Sequence, residues 1–195
     1  MNNYEYIIAG LPFLGKDGQQ HPDTESILED IRAQLSRKDN DTLDFLLKGY
    51  DPEALGKDFY LKAAAAANRF VREYFALDLG VRNAKVEYLN RSLGRPEGTD
   101  TVLLTEDGEN PEFEAKAEVD AILEGNDILA RERALDDFYW KAVDGITEMD
   151  VFDLDLILAF VVKLKLVDRW LRLDEAAGRE LFRKLVSEIK ENYKI

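Results

Sequence analysis

Residues 153–172 constrain this chain more than any other stretch. Leu154, Ile157, Leu158, Val161, Leu164 and Leu171 recur at helical spacing, and Phe160, Val162, Leu166 and Val167 carry the apolar surface around much of the circumference. A helix that is apolar on nearly every side must be enclosed by other helices. Its longest unbroken apolar run, Leu156 to Val162, has seven residues, where a membrane span needs about 20. The segment therefore predicts an all-α protein with this helix inside it.

The rest of the chain supplies helices to enclose it. Ile27, Leu28, Ile31 and Leu35 mark one face of a helix capped by Thr24 or Asp23, with Glu25, Glu29 and Asp30 early and Arg37 and Lys38 at its end, as the helix dipole favours. Asp39 or Asp41 then caps a second helix through Leu43, Leu46 and Leu47, closed near Gly49. Residues 58–76 predict a third, built on the Ala63–Ala67 run of strong helix formers. Phe59, Ala63, Ala66, Phe70 and Tyr74 mark one side of it, and its alanines let another helix approach closely. The pattern continues through Val81, Ala84, Val86, Leu89 and Leu93, with Gly80 either kinking one long helix or separating two. Further helices are expected at 112–124, 127–148 and 174–193, giving a bundle of about seven. Residues 4–14 read as a short extended arm or irregular turn, with Tyr4, Tyr6, Ile7, Ile8 and Leu11 packing it onto the helices. Residues 94–111, with three glycines and two prolines, form a linker between an N-terminal subdomain (1–93) and a C-terminal one (112–195).

Charge narrows the function. The 195 residues carry 40 acidic and 26 basic side chains, a net charge of -14, which argues against nucleic acid and against a polybasic anchor on an anionic membrane. The excess is local: residues 97–155 hold 19 acidic and 4 basic side chains, whereas residues 160–195 hold 6 acidic and 9 basic. With 46% hydrophobic residues the chain has ample material for a core. It has no cysteine, which removes disulfides, thiol nucleophiles and thiolate metal sites. The N-terminus lacks the basic start of a signal peptide, and its apolar stretch is broken by Gly10 and Pro12, so the expected location is the cytoplasm.

Few residues invite chemistry. His21, the one histidine, lies before Pro22 in a polar loop, and alone it cannot form the base and orienter pair of general-base catalysis. Asp150, Asp153 and Asp155 offer oxygen donors for a divalent cation, but the spacing lacks the glycine and terminal glutamate of an EF-hand loop, and acids at a helix N-terminus explain Asp150 and Asp153. Glu132, Asp136, Asp137 and Asp144 offer paired carboxylates for hydrolysis; an exposed acidic helix face reads the same way. Trp140 and Trp170 read as helix-packing aromatics, and Asp168-Arg169-Trp170 suggests an ion pair beside a packed indole. No phosphate-binding loop, dinucleotide fingerprint or nucleophile elbow is present. The residues thus predict no enzyme, no cofactor and no metal. Glu109, Glu112 and Glu114 in the acidic stretch, with Arg169 and Trp170 at the basic-aromatic end, are the expected partner-binding residues.

Phe152–Val186 resembles the end of the C/d-type subunit of V-type rotary ATPases. Phe152 and Asp155 form the acidic-aromatic entry, Leu156–Val162 the apolar helix, Arg169-Trp170 the basic-aromatic end, and Asp174-Glu175 with Gly178 and Phe182 the start of the next helix. The N-terminal NYEYIIAGLPFL and the stretch Ala130–Trp140 resemble a bacterial family encoded within V-type ATPase operons; Asn83 and Lys85 are compatible with the same subunit pattern. The resemblance implies an all-helical, non-catalytic subunit that seats the rotating shaft on the membrane rotor ring. Its implied partners are shaft and rotor subunits, and its implied location is the cytoplasmic side of the inner membrane, attached through the complex without inserting. The chain is shorter than the full subunit of three helical modules, so a module is missing or reduced. Two other readings stand beside this one: a free-standing acidic helical adaptor, and a metal-dependent hydrolase using the carboxylates near 132–155.

Overall fold

The computed structural model describes residues 4–15, 22–105, 110 and 112–171. Among the described residues it contains eight helices and no strand: α1 (Glu5–Gly10), α2 (Thr24–Gln34), α3 (Arg37–Lys48), α4 (Lys57–Ala64), α5 (Arg69–Leu93), α6 (Lys116–Leu123), α7 (Ile128–Ile146) and α8 (Leu154–Leu171). The fold is an all-α multi-helix bundle. His21, Glu109, Asp174, Gly178, Phe182 and the helix expected at 174–193 lie outside the described residues.

The apolar circumference of α8 is met from several sides. α1, α2, α3, α5 and α7 all pack against it, and Ile157, Leu158, Val161, Val162 and Leu164 are completely buried. Each such side chain contributes about 1.5–3 kcal/mol on leaving water, before the entropy of ordering it is subtracted. A second, smaller core joins the latter half of α5 to α6 and α7 through Val81, Ala84, Val119, Leu123, Leu135 and Phe138, and Tyr139 packs against both cores. Helices before and after the 94–111 stretch therefore share their contacts, with α5 touching α6, α7 and α8.

Local outcomes differ from the sequence reading where a distant residue intervenes. Residues 5–10 form a short helix in place of an extended arm. One helical turn puts Tyr4, Ile7, Ile8 and Leu11 on a common face, which packs on the main core, while Tyr6 points away and is 94% exposed. The Tyr4 backbone N–H donates to the Phe152 carbonyl at 2.7 Å, and its hydroxyl donates to Asp39. The cap of α3 is Ser36 rather than Asp39 or Asp41: Ser36 Oγ accepts from the Asp39 N–H at 3.2 Å and donates to the Asp39 carboxylate at 2.8 Å. Arg37 and Lys38 accordingly open α3 instead of closing α2.

The alanine run contains a helix break. α4 stops at Ala64 and α5 begins at Arg69. Asn68 caps α5 by accepting from the Val71 N–H at 2.8 Å, and its amide donates to Asp155 at 2.5 Å. Arg72 donates to the freed carbonyls of Ala66 and Ala67 at 2.7 and 2.9 Å. Capping and cross-chain bonds thus outweigh the propensity of the alanines.

Gly80 does not end α5, which runs unbroken from Arg69 to Leu93. An added Cβ there would fall 2.5 Å from the Phe113 ring, so the glycine makes room for an aromatic from across the chain. Gly80→Ala is expected to lower stability by about 1–3 kcal/mol through overpacking. In a Phe113→Ala background the same change should instead stabilise by about 0.5–1 kcal/mol, because alanine is the better helix former. Urea titration of the four proteins checks that reversal of sign.

Beyond Gly94, which ends α5 in the left-handed region at φ 65°, the chain turns back along the same helix. Asn83, Glu87 and Asn90 share one face of α5 and satisfy its backbone. Asn83 bonds both the N–H and the carbonyl of Val102, each at 2.9 Å, Asn90 donates to the Thr99 carbonyl at 2.7 Å, and Glu87 accepts from the Gly98 N–H at 2.7 Å. Three polar side chains thus supply partners that a neighbouring strand would otherwise provide.

Candidate functional site

The strongest polar cluster in the interior is one that the sequence reading did not single out. Asp78 lies mid-way along α5 and is only 5% exposed. Tyr60 of α4 donates to its Oδ2 at 2.7 Å, Tyr139 of α7 donates to its Oδ1 at 3.0 Å, and Arg82, one turn on, donates Nε to Oδ2 at 2.7 Å. The Tyr50 and Tyr74 hydroxyls meet nearby at 3.2 Å. The available signal was a carboxylate among the apolar positions Tyr74, Phe75, Leu79 and Val81. Its tyrosine partners were hidden because they come from two other helices.

Burial pushes the hydroxyls of Tyr50, Tyr60, Tyr74 and Tyr139 above the ordinary tyrosine range, and the negative charge of Asp78 adds to the effect. Tyr60 and Tyr139 are thereby held as hydrogen-bond donors to the carboxylate. The linkage has a definite sign. The stability they contribute is complete below about pH 10, where tyrosine ionises in the unfolded chain, and is lost as pH rises further, because only the unfolded state then releases protons. Urea midpoints should hold up to about pH 10 and fall as pH rises above it, with tyrosinate absorbance of Tyr60, Tyr74 and Tyr139 appearing only as the protein unfolds.

Of the three aspartates weighed as donors for a divalent cation, Asp150 and Asp155 hold a protein cation. Arg69 at the start of α5 donates to Asp150 at 2.5 Å, to Asp155 at 3.3 Å and to the Ile146 carbonyl at 2.8 Å. Asp153 caps α8 by accepting from the Leu156 N–H at 3.3 Å, and burial raises its pKa above the ordinary carboxylate value. This cluster fastens the start of α8 and the loop before it to α5. Among the described residues, no group of three or more His, Asp or Glu side chains is arranged to hold a metal ion.

The carboxylates of α7 are committed in a similar way. Arg169 donates to Asp136 at 2.6 Å and to Glu132 at 3.3 Å, and the Trp170 indole N–H also donates to Asp136. The Arg133 guanidinium stacks 3.7 Å from the centre of the Trp170 ring. Lys163 pairs with Asp144 and lies over the Trp140 ring at 5.1 Å. The two tryptophans therefore pack helices together through cations, and the ion pair beside the indole runs from Arg169 to α7. Exposed Ile128 and Leu129 sit with Glu132, Arg169 and Trp170 around a shallow cavity of about 370 Å³.

Glu112 and Glu114 lie elsewhere, exposed on the rim of a larger groove of about 790 Å³ between α4, the middle of α5, Leu104, Asn110 and residues 112–116. The structure thus separates the expected partner-binding residues into two places, with Arg169 and Trp170 at the end of α8 and the two glutamates at the groove. No helix of the described residues is long and apolar enough to cross a membrane.

Fold and clusters together define an all-helical bundle in which charged side chains join helices across its cores and leave an apolar groove open at the surface. The chain belongs to the family described as Protein of unknown function (DUF2764), whose model matches residues 52–193. No curated protein and no solved structure matches it.

Proposed function

We propose that the chain is a non-catalytic accessory or central-stalk subunit of a bacterial V-type ATPase, which couples the shaft to the membrane rotor from the cytoplasmic side without entering the bilayer. The observation that carries this reading is the mounting of α8. The helix bearing the likeness to the C/d-type subunit is enclosed by five others and tied at both ends, by Arg69 to Asp150 and Asp155 and by Arg169 to Asp136 and Glu132. A helix held in this way moves with its surroundings as one body and passes load between them. The carboxylates that a hydrolase would need are engaged in the same contacts, which favours a docking role over a catalytic one. Affinity purification of the tagged chain from detergent-solubilised membranes tests the proposal. Shaft or rotor subunits should be recovered with it. Their absence, with other proteins bound instead, would favour the free-standing adaptor.

A further inference from the structure

Where α8 ends, the surface turns apolar. Ile128 and Leu129, the first two residues of α7, are 70% and 62% exposed. With Trp170 they line the shallow cavity beside Glu132 and Arg169. On α5, Lys85 reaches Glu132 at 4.0 Å, and one turn beyond it Leu89 is exposed as well. The start of a helix does not require two adjacent branched side chains in water. Asp127 already caps α7, accepting from the N–H groups of Leu129 and Ala130 at 2.8 and 3.1 Å. Single exposed apolar residues are ordinary, whereas a group that shares one cavity marks a contact surface.

The register of α7 on α8 points to the occupant. The two helices run antiparallel, with Lys163 on Asp144, Arg169 on Asp136 at 2.6 Å and Arg169 on Glu132 at 3.3 Å. One further turn back along α7, at Ile128 and Leu129, the matching positions on the other side are about residues 174–177, just past Leu171. Residues 172–195 lie outside the described residues; their sequence supplies Leu173, Leu181, Phe182, Leu185, Val186 and Ile189 as apolar side chains. The family model runs to residue 193, so the segment belongs to the same family pattern as α7 and α8.

We infer that residues 172–195 dock back on this patch, their apolar side chains closing over Ile128, Leu129 and Trp170. Tethering favours this occupant over a free one. The segment begins two residues after Trp170, which holds it near the patch at an effective concentration on the order of millimolar. A second copy of the chain must approach against a net charge of -14. Seated there, the segment covers Arg169 and Trp170, so a partner that reaches those residues has to displace it. The inference holds whether the chain serves a rotary ATPase or another assembly.

Two measurements on the full chain test it. The chain has no cysteine, so a disulfide between two introduced ones reports a contact without ambiguity. Leu129→Cys is combined in turn with Ala176→Cys, Leu181→Cys and Leu185→Cys, and Lys62→Cys on α4 replaces Leu129→Cys as the control. Mild oxidation of dilute protein should close at least one of the Leu129 pairs within a single chain, which requires Cα atoms within about 7 Å, and none of the Lys62 pairs. In the second measurement, Ile128→Gln with Leu129→Gln keeps good helix formers in α7 and removes its apolar surface. Trypsin cleavage after Arg179, Arg183 and Lys184 should then accelerate about tenfold, with the rest of the chain cut no faster. Disulfides that form only between two chains would give the patch to a second copy and overturn the inference. The absence of any Leu129 disulfide, or cleavage at an unchanged rate in the glutamine variant, would overturn it too and leave the patch to another protein.

Discussion

Replacing Asp78 with alanine is expected to cost about 3–5 kcal/mol of stability. Arg82 accounts for little of this, because its side chain is 45% exposed and turns to water when its partner is gone. The cost comes from the hydroxyls of Tyr60 and Tyr139, which donate to the carboxylate from two other helices and would be left without an acceptor in the interior. For a chain of this size the melting temperature should fall by roughly 10 °C. Asp78→Asn retains a carbonyl oxygen able to accept one of the donors, so its loss should be smaller. Urea unfolding of the three proteins measures both effects, and a loss below about 1 kcal/mol for Asp78→Ala would show that the network is incidental to the fold.

Phe75→Ala should be comparably damaging, at about 3–5 kcal/mol. Phe75 is completely enclosed: Phe59 meets it edge-on at 4.8 Å between ring centres, Tyr74 at 5.1 Å and Phe45 at 5.9 Å. Its ring also occupies the space where a side chain on Gly49 would begin. Truncation leaves a cavity shared by α3, α4 and α5, and three further rings cannot all move to fill it. Adding Gly49→Ala, which overpacks the native protein, should recover part of the loss in the Phe75→Ala background by refilling that space. Non-additivity of the two changes in thermal or urea unfolding reads out the contact.

What the sequence made legible follows from which interactions are local. The enclosure of α8 could be read because ten apolar residues leave no polar face on which water could rest. Caps written next to their helices, such as Asp23 before α2, could be read for the same reason. The break in the alanine run could not, since Asn68 is held by Asp155, 87 residues further along the chain. Gly80 read as a kink or a boundary between two helices because the ring that requires it, Phe113, arrives from beyond the linker. Asp78 was one of 40 acidic residues until the fold brought Tyr60 and Tyr139 to it. The acids near 132–155 were visible as a cluster, but their neutralisation by Arg69, Lys163 and Arg169 is a property of the tertiary structure. Charge patterning along a sequence shows where acids accumulate; only packing decides which of them remain available to a partner.

The central claim, that this bundle serves as a docking subunit of a rotary ATPase, is tested most directly in the reciprocal direction. A V-type ATPase purified through a tag on its shaft subunit, under mild detergent, should contain this chain in a fixed ratio to the shaft by quantitative mass spectrometry. An intact, active complex from cells that express the chain, yet with none of it present, would contradict the account.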